Sequence, residues 1–113
     1  SWVKDHLLST PSVVKWTKEY FIDRYKSTPV MPYHVERIHF EKTGEYSTEG
    51  KFMHMFTLTV GSKVTVRSKA NHDLYAVCDK FQTLVIPATF GDYEIINEEG
   101  GRVTCVIQRW KQG

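Results

Sequence analysis

Between Phe81 and Asn97, FQTLVIPATFGDYEIIN, the chain reads as an apolar strand, a tight turn carrying Pro87 and Gly91, and a second strand from Asp92. Pro87 lacks a backbone donor and Gly91 accepts conformations that side chains resist, so neither run continues through the turn. The same punctuation recurs along the chain. Further strand-like runs are Val13–Thr17, Tyr20–Tyr25, His34–Phe40, Phe52–Val60, Lys63–Ser68, Leu74–Val77, Thr83–Ile86, Tyr93–Asn97 and Val103–Trp110. Short runs separated by turn residues predict an all-β sandwich or barrel. Alternation puts Ile38 with Phe40, Val64 with Val66, and Val103 with Cys105 and Ile107 on shared faces. Gly61-Ser62 and Glu98-Glu99-Gly100-Gly101 are predicted as hairpin connections.

The first residues follow a different period. Trp2, Val3, His6 and Leu7 recur at helical spacing until Ser9-Thr10-Pro11, so residues 1–10 predict a short helical lead-in. A helix that short is marginal alone, and its apolar stripe needs a surface to pack on. A chain that begins in mid-helix without a starting methionine also reads as a piece of something longer. At 113 residues the whole, 1–113, is expected to form one domain around one core.

Composition excludes several partners. The formal net charge is +2 with basic and acidic residues interspersed, which argues against nucleic acid. No apolar run approaches the roughly 20 residues of a membrane span, and the N-terminus SWVKDHLL lacks a secretory pattern. Cys78 and Cys105 sit in strand-like apolar runs and are expected to be reduced and buried. A cytoplasmic setting is the expectation from these features together.

Reactive constellations are sparse. Of the histidines His6, His34, His39, His54 and His72, no set is spaced as a zinc or iron site, which needs several converging ligands. There is no Gly-x-Ser-x-Gly elbow, and neither cysteine neighbours a histidine. The pairs Glu98-Glu99 and Glu41/Glu45 fall in segments that read as solvated turns. Small barrels either fill their interior or leave room for one small ligand. Candidate pocket residues at such a mouth are Arg37, His39, His54, Arg67 and Tyr93, with Arg67 also placed to face solvent. Arginine beside tyrosine and histidine suits a hydroxylated or phosphorylated sugar.

The run from Phe81 to Asn97 resembles the second motif of the cupin barrels, a jelly-roll fold in which the strand after the turn offers a metal ligand. Here Tyr93 stands at that ligand position. The first cupin motif supplies two histidines and a glutamate; in Lys51–Gly61 only His54 matches, Phe56 stands two residues later, and no glutamate follows. With Glu36–Phe40, Lys51–Ser68, Leu84–Asn97 and Cys105–Trp110, the chain from about His34 onward resembles the C-terminal barrel of class I mannose-6-phosphate isomerase-like proteins. The resemblance implies an accessory cupin domain with no metal of its own, His54 being the one surviving candidate ligand. A direct His54–Tyr93 hydrogen bond is expected in the metal's place. Zinc and aldose–ketose isomerisation of a sugar phosphate would belong to a separate upstream catalytic domain. The implied partners are that domain or a second copy in a homodimer, and a sugar or sugar phosphate as ligand. A free-standing sugar-binding module is the alternative.

Overall fold

The computed structural model describes residues 12–26, 30 and 32–110. Ten strands account for most of it: β1 (Ser12–Trp16), β2 (Tyr20–Arg24), β3 (Tyr33–Phe40), β4 (Thr43–Ser47), β5 (His54–Val60), β6 (Lys63–Ser68), β7 (Tyr75–Asp79), β8 (Thr83–Ile86), β9 (Asp92–Asn97) and β10 (Val103–Trp110). They form a six-stranded sheet ordered β1-β2-β3-β10-β5-β8 and a four-stranded sheet ordered β4-β9-β6-β7, with every pair antiparallel. From β3 onward the chain crosses between the sheets at nearly every connection; only β6 and β7 are joined as neighbours in one sheet. This is a jelly-roll, as expected from the strand pattern. No helix among the described residues is long and apolar enough to cross a membrane.

Strand phase explains the core. Ile38 and Phe40, Phe56 and Leu58, Val64 and Val66, Tyr93 and Ile95, and Val103, Cys105 and Ile107 alternate inward and are buried between the sheets. Cys78 and Cys105 are both free and buried, with burial raising both thiol pKa values, so neither is a ready nucleophile.

Three expectations need correction or fall outside view. The segment Glu41–Glu45 is not simply turn: it leads into β4, whose Gly44 and Glu45 disguise it as a loop. Gly44 is required because a Cβ there would lie 2.8 Å from Ile38 Cδ1 and 3.0 Å from Phe40 Cδ1, so only a bare backbone packs this closely on β3. Gly61-Ser62 and Glu98–Gly101 are not hairpins. Each carries the chain from one sheet to the other, β5 to β6 and β9 to β10, and the positive φ of Gly61 and Gly101 turns that corner instead. The helical lead-in at 1–10 lies outside the described residues.

Candidate functional site

Six inward-facing side chains from six strands meet inside the barrel: Arg24 of β2, Glu36 of β3, Tyr46 of β4, His54 of β5, Tyr93 of β9 and Arg109 of β10. Cross-strand register brings them together, pairing Arg24 with Glu36, Tyr46 with Tyr93, and Arg109 with His54. Glu36, His54 and Tyr93 are buried.

The deepest pair is His54 and Tyr93, whose Nδ1 and hydroxyl lie 2.9 Å apart. Burial holds the Tyr93 hydroxyl well above its ordinary pKa, so it keeps its proton. Burial, followed by the positive charge of Arg109, pulls His54 down to about 4, so the imidazole is neutral. A neutral imidazole has one donor and one acceptor nitrogen. Nδ1 is the nitrogen that meets the Tyr93 hydroxyl, and Nε2 has no partner among the described residues. Tyr46 packs on both rings, with centroids 5.1 Å from His54 and 6.0 Å from Tyr93.

Above this pair lies a charged layer. Glu36 accepts hydrogen bonds from the Arg24 guanidinium and the Tyr46 hydroxyl, and Arg109 approaches the same carboxylate at 3.6 Å. Burial and then the neighbouring Glu36 carboxylate raise the Tyr46 pKa, so this hydroxyl also remains a donor. Arg109 is held over the Phe52 ring at 4.7 Å and reaches Glu49 at 3.4 Å. This layer floors an open cleft of about 380 Å³, whose walls include Val14, Lys15, Glu45, Ser47, Lys69 and Asp92.

These donors do not suit a resident metal. No group of three or more His, Cys, Asp or Glu side chains able to hold one occurs among the described residues. Tyr93 is protonated and engaged with His54, and Phe56 follows His54 on the inward face. The layer instead presents Arg24 and Arg109 as donors and Glu36 as acceptor, a set whose chemistry matches hydroxyl groups.

Of the residues expected at the mouth, the fold brings together His54 and Tyr93. The other three lie on outer faces because of strand phase. Arg37 donates twice to Asp23, at 3.1 and 2.7 Å, and stacks over Tyr25. His39 sits 3.0 Å from Thr104 Oγ1 and 3.2 Å from Asp23 Oδ2, beneath the Phe21 ring at 4.4 Å. Arg67, on the outer side of β6, donates to Glu94 at 2.7 Å. Arg24, Glu36, Tyr46 and Arg109 escaped the sequence reading, although two of them carried a signal. Glu36 shares the inward phase of Ile38 and Phe40, and Arg109 that of Val103, Cys105 and Ile107. A charge in the buried phase of a strand marks a polar site.

The chain matches no protein-family profile and no curated protein sequence. Its structure is similar to solved ones. CapF, solved with the inhibitor 3-isopropenyl-tropolone, superposes with a TM-score of 0.66 at 12% identity over 91% of this chain and 31% of that protein. A cupin-2 domain from Rhodospirillum rubrum gives 0.66 at 6% identity over 90% of this chain and 70% of its own. The cupin-2 domain of an XRE family transcriptional regulator from Enterobacter cloacae gives 0.66 at 6% identity, covering 85% of this chain and all 100% of that one. The chain thus spans about a third of CapF, but most or all of the two cupin-2 domains. The likeness is one of fold, that of the cupin barrels.

Proposed function

We propose that this module is the metal-free accessory barrel of a mannose-6-phosphate isomerase-like protein, with isomerisation carried by a separate zinc-dependent domain. The observation that supports it most is the 2.9 Å contact between His54 and the Tyr93 hydroxyl, made where the cupin pattern expects two metal ligands. A buried, protonated tyrosine hydroxyl bonded to a neutral imidazole fills that centre with a closed pair. A cytoplasmic setting suits the two free, buried thiols. An upstream catalytic domain, or a second copy, is the expected partner. The test is metal analysis of the full chain after equilibration with zinc, alongside conversion of mannose 6-phosphate to fructose 6-phosphate. The reading expects no stoichiometric zinc and no turnover. Zinc bound one to one and lost in His54→Ala would overturn it.

A second reading, a sugar-binding module, is favoured by the cleft over Glu36. Its four basic side chains, Lys15, Arg24, Lys69 and Arg109, are matched by the four acidic ones, Glu36, Glu45, Glu49 and Asp92. Balanced charge gives a phosphate little net attraction, whereas paired donors and acceptors suit the hydroxyls of a neutral sugar. Calorimetry with mannose and mannose 6-phosphate tests this. Mannose should bind at least as well as its phosphate, and Arg109→Met should abolish the heat. No heat with either sugar would remove the second reading and leave the first intact.

A further inference from the structure

Among the described residues each sheet ends in two edge strands, β1 and β8 in one, β4 and β7 in the other. Outward backbone groups on an edge have no strand to pair with, and natural edges usually carry a guard. β1 has Lys15 and a break in register between Val13 and Lys15, β8 is four residues long, and β4 holds Glu45, tied to Lys69 at 3.0 Å. β7, Tyr75–Asp79, has no such guard until Asp79 at its end. It runs in unbroken register with β6, and Tyr75 and Val77 are 63% and 44% exposed.

The hydrogen-bond phase of β7 fixes what that edge offers. Ser68 N–H donates to the Leu74 carbonyl and Lys80 N–H to the Ser62 carbonyl, each pair directly opposite in the β6–β7 register. Bonded and unbonded positions alternate along an antiparallel pair, so Leu74, Ala76, Cys78 and Lys80 direct their backbone groups to β6. Tyr75, Val77 and Asp79 turn theirs outward. Asp79 is already engaged: its N–H donates to Gln82 Oε1 and its carbonyl accepts from Gln82 N–H, both at 3.0 Å. That leaves Tyr75 and Val77, each with a donor and an acceptor that no described residue meets.

We propose that β7 pairs antiparallel with β7 of a second copy of this chain, about a two-fold axis at Ala76. In that register Tyr75 lies opposite the partner's Val77 and Val77 opposite the partner's Tyr75, so every free donor on the edge meets a free acceptor. A shift of one residue would face these groups with ones already bonded to β6. A shift of two would face them with Asp73 or Asp79, whose N–H groups are already taken by Asn71 and Gln82. The edge is thus complementary to itself, which is why the occupant is a second copy. On the outer face each Tyr75 ring packs on the partner's Val77, a favourable aromatic and β-branched cross-strand pair. Asp79 falls opposite the partner's Asp73, with Lys63 4.0 Å from Asp79 to offset the repulsion. On the inner side Leu74 and Ala76 wall an apolar groove of about 570 Å³ with Leu84, Val85, Pro87 and Phe90, and the pairing sets the grooves of the two copies side by side. The two four-stranded sheets become one of eight strands. This gives a surface to the second copy named above as a partner, resting on that reading only for the partner and not for zinc or turnover.

Sedimentation equilibrium of the chain, with amide hydrogen exchange at the same concentrations, tests the pairing. The mass should fall from two chains to one on dilution. The Tyr75 and Val77 amides should be protected in the dimer and exchange freely in the monomer, while those of Ala76 and Cys78, bonded to β6, stay protected in both. Val77→Pro removes a donor that the monomer does not use, and should weaken the dimer on the order of tenfold or more with circular dichroism unchanged. Should that variant lose its fold, Val77→Lys puts a charge on the exposed edge and carries the same expected result. A mass of one chain at every concentration would overturn the proposal, as would a dimer in which Tyr75 and Val77 still exchange freely. Stoichiometric zinc or turnover would refute the catalytic reading and leave this interface in place.

Discussion

Replacing Tyr93 by phenylalanine removes one oxygen from the centre of the barrel and tests how the His54 pair holds. In the native chain His54 is fully buried with Nδ1 bonded to the Tyr93 hydroxyl, while its Nε2 has no partner among the described residues. Tyr93→Phe keeps the ring and its packing against Tyr46 and Phe90 but strands the second imidazole nitrogen. Leaving a buried polar group unsatisfied costs about 1–3 kcal/mol. We expect about 2 kcal/mol, which lowers the melting temperature of a domain this size by roughly 8 °C. His54→Leu strands the tyrosine hydroxyl instead and should cost a similar amount. Removing both partners should cost less than the sum, because paired loss of donor and acceptor is nearly neutral. The assay is urea unfolding of the four proteins of this double-mutant cycle, with unchanged m-values as the check on two-state behaviour. A coupling under about 0.5 kcal/mol, or a neutral Tyr93→Phe, would refute a closed His54–Tyr93 pair.

Acid should destabilise the fold through His54. Its folded pKa of about 4 lies below the ordinary value of 6.5, so the unfolded chain binds more protons between those values and stability falls as pH drops from about 6.5 toward 4. The loss approaches roughly 3 kcal/mol and should shrink in His54→Leu, as read by urea midpoints at pH 7 and pH 4.5. Glu36→Gln leaves Arg24 and Arg109 around a neutral amide; breaking one side of a buried ion pair costs about 3 kcal/mol, and thermal unfolding should show it. Gly44→Ala pushes a methyl into the packed Ile38 and Phe40 side chains and should cost about 1–3 kcal/mol by denaturant unfolding, whereas Gly100→Ala, with open space around it, should change little.

Nine of the ten strands among the described residues are visible in the sequence because alternation and turn residues are local properties. β4 is not, since Gly44 looks like a breaker until the side chains of Ile38 and Phe40 are seen to require it. The two glycine corners show the same limit. Positive φ is legible from Gly61 and Gly101, but whether the chain returns in the same sheet or enters the opposite one depends on which strands it then pairs with. The site divides along similar lines. His54 and Tyr93 are found from their positions in a motif. The burial of Glu36 and Arg109 follows from strand phase, and Tyr46 is hidden with its strand.

By itself, then, the sequence determined the strands, their faces and an all-β barrel, because a period of two and the chemistry of proline and glycine act within a few residues. Only the tertiary structure decided which inward side chains meet. Arg24, Glu36, Tyr46, His54, Tyr93 and Arg109 lie up to 85 positions apart and become neighbours through the pairing of distant strands. Burial then did what composition cannot express: it kept a histidine neutral and two tyrosines protonated, with the Tyr46 hydroxyl donating to Glu36 and the Tyr93 hydroxyl paired with His54.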